Sequence, residues 1–488
     1  MNDERLINRD RERALLHTLA NAGAPRLALL TGRRRIGKTF LLAHAWPDIS
    51  TFAFTAARTS PEINRRQFIE DYARFTHQAL DPADYPTWRT VFNLVFTEDD
   101  AAPHVIVIDE FSYLAEGTAG LSAVASELNA AWERRRSPRS LLVVLAGSAV
   151  STMEALAGGG SPLYGRFHAQ LRLNAFDYLD TAAMVPFPSL RNRIETYAAF
   201  GGIPRYLASL DPEAPWVDQA ADLLLAPHGE VRNLVQTTLE MEEGIRDVAT
   251  YRGIVRAVAS GVTRRNEMAQ RLGTRNDQAL RDKIDVLIRL GYLEVRRNVD
   301  AKRNAPALYG VTDPALRFHH RFVEPNLALL ERRPAREVWR AVVAPQWDAF
   351  VGPIFERIAQ QGYERRCGID DLPIVRTWSR FEGNDRSGAP IEIDLVAKLV
   401  DGGVLTGAVK WNRAPIRIDV HLNHLAMLER AAHAGRAWAH EALAPDAVML
   451  YVAAGGFEDG FVARASEEGR RVVAWTLEDL FDARLLEA

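Results

Sequence analysis

The sequence predicts an α/β protein in successive parts. A P-loop NTPase parallel sheet with a helical lid comes first, then a winged helix (α+β), then a restriction-endonuclease-like α/β domain. Three observations predict this. Residues 26–42 read as strand, glycine-bounded loop and helix around Gly32-x-x-x-x-Gly37-Lys38-Thr39. Residues 251–320 pass from helix-period to strand-period segments and carry a local excess of cations. Residues 391–411 read as a strand with Asp394, a turn, and a return strand ending in Lys410-Trp411. The expected boundaries are 1–175 for the core, 176–245 for the lid, 246–325 for the winged helix and 326–488 for the last domain.

A chain of 488 residues is long enough for two to four domains, each with its own core. With 47% hydrophobic and 25% charged residues, the composition argues against disorder, a collagen repeat and a disulfide scaffold. The single cysteine, Cys367, has no internal partner. The charged start, Met1-Asn-Asp-Glu-Arg5, is not a secretory signal, and no apolar run approaches about 18 residues. A cytoplasmic protein with no membrane partner is therefore expected. Only five of the 60 basic residues are lysines: Lys38, Lys283, Lys302, Lys398 and Lys410. Arginine and lysine are chemically distinct, so each retained lysine marks a position where a compact ammonium is worth examining.

The loop Gly32-Arg33-Arg34-Arg35-Ile36-Gly37-Lys38-Thr39-Phe40 fits the phosphate-binding pattern. Its glycines let successive backbone N–H groups face an anion, and the following helix adds its positive end. Lys38 would bridge the β- and γ-phosphates and Thr39 would give a hydroxyl to Mg²⁺. His104-Val-Ile-Val-Ile-Asp109-Glu110 is a buried-strand run ending in two carboxylates. Asp109 would hold Mg²⁺ and Glu110 would polarise the attacking water. A third apolar strand, from Leu141, ends at Gly147-Ser148, where Ser148 would lie beside the γ-phosphate. Arg166, in Pro162-Leu-Tyr-Gly-Arg166, is either a finger stabilising transition-state charge or half of a surface ion pair. In Gly201-Gly-Ile-Pro204-Arg205 the helical pattern breaks, which would aim Pro204 or Arg205 at the nucleotide from the lid, or simply join two helices.

Residues 251–320 carry a net charge of +7 against −3 for the whole chain, leaving −10 elsewhere. Helices are expected at 251–259, 266–272 and 277–290, with strands at 292–295 and 307–311 around a basic loop. That order makes a winged helix. Arg275, Arg281 and Lys283 would meet phosphates or a groove, and Arg296, Arg297, Lys302 and Arg303 would form the wing contact. The competing reading is a solvated face on a protein-protein spacer. The adjacent pair His319-His320 lacks metal-ligand spacing.

Residues 325–345 read as a connecting helix. Beyond them, Asp394 on one strand and a residue-x-Lys410 on its hairpin partner have the layout of the PD-(D/E)XK fold. In that fold the carboxylates bind Mg²⁺ and the lysine positions the attacking water. Strand alternation places 408 with Lys410, and Glu392 with Asp394.

Taken together, the chain resembles the prokaryotic, especially archaeal, ATPase family of the STAND/AAA-type P-loop NTPases. The resemblance rests on the loop, the Asp109-Glu110 strand, the Gly147-Ser148 strand, Pro162-Leu-Tyr-Gly-Arg166 and Gly201-Gly-Ile-Pro204. It extends over nearly the whole chain, through Tyr309-Gly-Val-Thr-Asp313 and the nuclease-like domain of unknown function to Trp475–Leu480. It implies ATP/ADP and Mg²⁺ as cofactors and a switch-like ATPase, and it places Arg9 near the adenine. It also matches Glu356 to an acidic residue of the first helix of the last domain. At position 408 the family has Glu and this chain has Ala408, which puts cleavage in doubt. Three functions are thus expected. One is an ATPase that switches a nucleic-acid-binding winged helix and a degenerate nuclease-like domain. A second is an ATP-gated DNA-binding regulator or protein-assembly scaffold. The third is an ATP-regulated nuclease in which Glu392 replaces the missing carboxylate. The expected partners are nucleotide, DNA, and a protein partner or a second copy.

Overall fold

The computed structural model describes residues 6–96, 102–135, 140–242, 245, 247–301, 307–367 and 369–485. The chain divides into two compact units: Met1–Ala175 with Ile203–Arg205, and Phe176–Gly202 with Tyr206–Ala488. None of the described helices is long and apolar enough to cross a membrane.

The first unit runs α1 (Asp10–Ala20), β1 (Arg26–Thr31), α2 (Lys38–His44), β2 (Thr51–Thr55), α3 (Pro61–Thr76) and α4 (Trp88–Val95). Then come β3 (Val105–Asp109), α5 (Gly117–Arg134), β4 (Leu142–Gly147), α6 (Val150–Ala155) and β5 (Ala169–Arg172). Among the described residues the strands form one five-stranded sheet in the order β2-β3-β4-β1-β5, parallel throughout. Every residue of β3 and of β4 is buried, as expected for parallel strands covered on both faces. Phe52 of β2 packs edge-on against Phe68 and Tyr72 of α3, which stack on each other, and Phe68 meets Trp88 of α4 edge-on. This is the P-loop NTPase sheet. With β4 between β1 and β3, the carboxyl ends of all three strands adjoin, which is where open α/β sheets bind ligands.

The second unit begins with α7 (Tyr178–Met184) and α8 (Leu190–Phe200); α9 (Pro204–Leu207) starts in the first unit and ends in the second, which continues with α10 (Trp216–Leu224) and α11 (Glu230–Gln236). There follow α12 (Val248–Ala259), α13 (Arg265–Leu272), α14 (Gln278–Arg289) and an antiparallel hairpin of β6 (Leu293–Arg296) and β7 (Leu308–Val311). Asp277 caps α14 and left-handed Gly273 ends α13, the local signals by which the sequence separates these helices.

The expected connecting helix over 325–345 is broken. After α15 (Pro314–Phe318), a π turn over His319–Val323 precedes Pro325, and a second over Trp339–Val343 precedes Pro345. Between them lie α16 (Leu327–Leu330) and α17 (Ala335–Val338). A proline lacks an N–H and clashes with the carbonyl four residues back; the wider π turn absorbs both defects. Pro334, at the N-cap of α17, separates the two halves.

Helix α18 (Trp347–Arg366) leads into β8 (Val375–Asn384), β9 (Pro390–Leu399) and β10 (Val404–Lys410). After these come α19 (Ile418–His433), α20 (Ala437–Ala442), β11 (Val448–Ala453), α21 (Phe461–Ala465), β12 (Arg471–Trp475) and α22 (Leu477–Leu480). The second sheet has the order β12-β11-β10-β9-β8. It is antiparallel from β8 to β10 and parallel from β10 to β12. Tyr178 Oη donates to Leu480 O at 2.7 Å, and Arg365 pairs with Asp177 and Asp180 at 2.8 and 2.6 Å, so α7 is built into this unit.

Candidate functional sites

The phosphate-binding loop leaves β1 at Gly32. A Cβ on Gly32 would lie 2.9 Å from Leu173 O, so only glycine passes there. Arg35 and Gly37 have φ of +69° and +94°, left-handed positions that turn successive N–H groups inward. Ile36 is buried and anchors the loop. Buried Lys38 donates from Nζ to Gly32 O at 2.8 Å and to Arg33 O at 3.2 Å, holding its ammonium over the loop. Arg34 Nη2 donates to Tyr113 Oη. Phe40 projects into solvent and stacks on His44, with centroids 4.2 Å apart.

The strand ends complete the site. Thr39 Oγ1 donates to Asp109 Oδ2 at 2.7 Å, and Glu110 N donates to Asp109 Oδ1 at 2.9 Å. Thr39 and buried Asp109 are therefore already converged as a hydroxyl–carboxylate pair of the kind that holds Mg²⁺ in such sheets. Glu110 sits at φ +52°, and its Oε2 accepts from both Ser148 N at 3.1 Å and Ser148 Oγ at 2.9 Å. The expected Ser148 thus meets the expected Glu110 directly.

Two other residues serve the scaffold. Arg9 is buried, donates from Nη2 to Asn174 O at 2.7 Å and pairs with Glu12 at 3.3 Å, so it pins the opening segment. Arg166 donates from Nε to Asn129 at 3.2 Å and pairs with Glu133 at 2.6 Å. This is the surface ion pair rather than the phosphate-facing finger. Pro204 does reach the loop, 3.9 Å from where a Cβ on Gly37 would stand, and Arg205 is exposed beside it.

Sequence reasoning missed Asn64. It is buried on α3, accepts from Ala57 N and donates to Ala57 O and Tyr113 O, all at 2.9 Å. It staples the end of β2 to the turn after Glu110, and an Asn inside an otherwise amphipathic helix was the available signal.

In the last domain, Lys410 Nζ donates to Asp394 Oδ2 at 2.9 Å, and Val409 N donates to the same oxygen at 3.1 Å. The carboxyl of half-buried Glu356, on α18, is pushed up to about 7, first by burial and then by the charge of Asp394. Arg380, Arg296 and Lys410 oppose that shift. Fully buried His424 donates or accepts with Thr406 Oγ1 at 3.0 Å and is held down at about 4, chiefly by burial. Asp394, Lys410 and Glu356 are brought together; Glu392 is not. Strand β8 pairs Ser379 with Val396 but Phe381 with Ile393, so β9 carries a bulge at Asp394–Leu395. The bulge lets Ile393 and Val396 enter the same core. Glu392 instead pairs with Arg380 at 2.8 Å and its side chain is 63% exposed. Ala408 is buried in that core. Among the described residues, no three His, Cys, Asp or Glu are placed to hold a metal.

The basic segment is less open than expected. Lys283 pairs with Asp247 at 2.8 Å, and Arg296 pairs with Glu294 at 2.7 Å. Arg275 and Arg281 are exposed around the start of α14, where Asp282 and Asp285 are exposed too. Arg297 is exposed in the loop after β6; Lys302 and Arg303 lie outside the described residues.

A family model described as "Archaea bacterial proteins of unknown function" matches residues 319–422, from the first π turn through β8, β9 and β10 into α19. An uncharacterized protein of Methanocaldococcus jannaschii is 24% identical over 415 residues, covering 83% of this chain and 87% of that one. Among solved structures, a Walker-type ATPase of Pyrococcus abyssi is 19% identical with a TM-score of 0.48, covering 65% of this chain and 96% of the other. The ORC2 protein of Aeropyrum pernix, solved as ADPNP and ADP complexes, is 14% identical with a TM-score of 0.43, covering 70% of this chain and 96% of the other.

Proposed function

We propose that the protein is a Mg²⁺-dependent ATPase of the STAND/AAA-like kind. On this reading its nucleotide state acts on a winged helix (246–325) and a restriction-endonuclease-like domain (326–488), with 1–175 as the core and 176–245 as the lid. One observation carries the reading. Lys38, Thr39, Asp109, Glu110 and Ser148 converge from three adjacent strand ends, with Thr39 bonded to Asp109 and Glu110 bonded to Ser148.

In the proposed reaction Lys38 and the loop N–H groups hold the phosphates. Thr39 and Asp109 would hold Mg²⁺, which would supply charge to stabilise the ADP leaving group. Glu110 takes the proton of the attacking water, and Ser148 keeps that carboxylate aimed. Lys38→Ala is expected to abolish ATP binding, and Glu110→Gln to keep binding while stopping turnover. Undiminished hydrolysis by both would refute the assignment.

The nuclease-like domain is proposed to be inactive, because Ala408 is in the core and Glu392 is committed to Arg380. DNA cleavage by the wild type in Mg²⁺ or Mn²⁺, lost in Asp394→Ala, would overturn this. Exposed Arg275 and Arg281 support DNA contact by the start of α14.

A further inference from the structure

Residues 298–300, which follow β6, lie against β8 and α20. Asn298 Nδ2 donates to Glu382 O at 2.7 Å while Glu382 N donates to Asn298 Oδ1 at 3.1 Å. The side-chain amide thus copies the donor and acceptor of a peptide unit. Val299 N donates to Arg380 O at 3.1 Å, and Asn298 bridges Arg380 in parallel register, so residues 298–299 extend the sheet beyond β8. The Val299 side chain is 7% exposed and lies in the same core as Phe381 and Trp438. Asp300 accepts from Arg436 Nη1 at 2.9 Å, and that guanidinium also lies over the Phe381 ring at 5.5 Å. At the root of the loop, Glu294 Oε1 takes Arg357 Nη2 at 2.7 Å, and Arg357 Nη1 donates to Thr312 O at 2.6 Å. The start of the loop and the base of the hairpin are both held by residues of the C-terminal domain.

A loop that lies along a nucleic-acid backbone keeps its tip solvated and its cations outward. Here two consecutive residues use a side-chain amide and a main-chain N–H to satisfy an edge strand, the second buries an apolar side chain, and Asp300 pairs with Arg436 at the start of α20. This is strand addition, a mode of peptide recognition, carried out within one chain. It also covers part of an edge that would otherwise offer unpaired backbone groups to other chains.

We propose that Asn298-Val299-Asp300 is a latch that docks on β8, and that exposed Arg297 beside it engages nucleic acid only after the latch leaves. The docked state is then the low-affinity state for DNA. The second half rests on the winged-helix reading above; the first half does not.

The test uses the full chain, with Asn298→Ala on the loop side and Arg436→Ala on the sheet side. Hydrogen exchange of residues 298–301 and 380–384 reads the latch. Titration of fluorescein-labelled duplex DNA at fixed salt reads the coupling. Both variants are expected to exchange at least about tenfold faster in these segments and to bind DNA several-fold more tightly. Arg436→Ala is the sharper of the two, because losing a cation weakens DNA binding unless a latch has opened. Unchanged exchange in both variants would overturn the docking. Faster exchange with equal or weaker DNA binding would overturn the gate. Absence of DNA binding by wild type and variants alike would sink the nucleic-acid reading and the gate together, with the exchange data still deciding the latch.

Discussion

The Glu356 carboxyl offers a quantitative test of the C-terminal domain. It is displaced from an ordinary 4.5 to about 7 by burial and by the charge of Asp394. In the unfolded chain it ionises near 4.5; in the folded chain it stays neutral until about 7. The folded state therefore binds more protons between these values, and stability falls as pH rises through that window. The loss is complete above about pH 7 and amounts to roughly 3 kcal/mol at 1.36 kcal/mol per tenfold change. Glu356→Gln removes the titration and keeps the shape. Urea unfolding of the full chain, followed by tryptophan fluorescence, is expected to show near-equal stability of wild type and variant at pH 4. At pH 8 the variant is expected to be more stable by about 2–3 kcal/mol. A difference independent of pH, or a variant less stable at pH 8, would refute the claim that this carboxyl is confined beside Asp394.

Two further predictions concern the nucleotide unit and the segment that follows it. Ser148→Ala removes one of the two donors on Glu110 and leaves the main-chain donor. It is expected to lower kcat by about tenfold, the worth of one hydrogen bond to a charged group, with KM for ATP little changed; a change confined to KM would place Ser148 in ground-state binding instead. Gly202→Ala would put a Cβ 1.9 Å from Phe176 O, against a backbone already held by the Phe176 N to Gly202 O bond at 2.8 Å. A destabilisation of at least about 1–3 kcal/mol is expected in thermal unfolding, and wild-type stability would show that this crossing relaxes freely.

How far the site was legible in the sequence depended on how local its geometry is. The phosphate-binding loop is a backbone conformation written by neighbouring residues, so Gly32, Gly37, Lys38 and Thr39 could be read directly. The Asp109-Glu110 and Ser148 strand ends could be read as separate pieces, because fully buried parallel strands leave continuous apolar runs. Their meeting could not: it follows from β4 lying between β1 and β3. Asn64 was invisible for the same reason, since its partners at Ala57 and Tyr113 come from different segments.

The C-terminal domain shows the limit more sharply. The hairpin and the positions of Asp394 and Lys410 could be read from the local residue pattern, whereas a carboxylate missing at Ala408 was implied only by the family resemblance. Which of these residues meet was set by strand pairing and packing. Glu392 is taken by Arg380 and Asp394 by Lys410, and one extra residue in β9 shifts the alternation of side chains beyond Asp394. A period-two pattern carries no record of a bulge until the strand meets its partner. The loop after β6 was legible as basic and turn-forming. Its docking on β8 depends on an edge more than 80 residues away in the chain, and neither segment alone specifies the other. Local conformation is encoded where it occurs; a pairing between distant edges is settled only when folding brings both surfaces together.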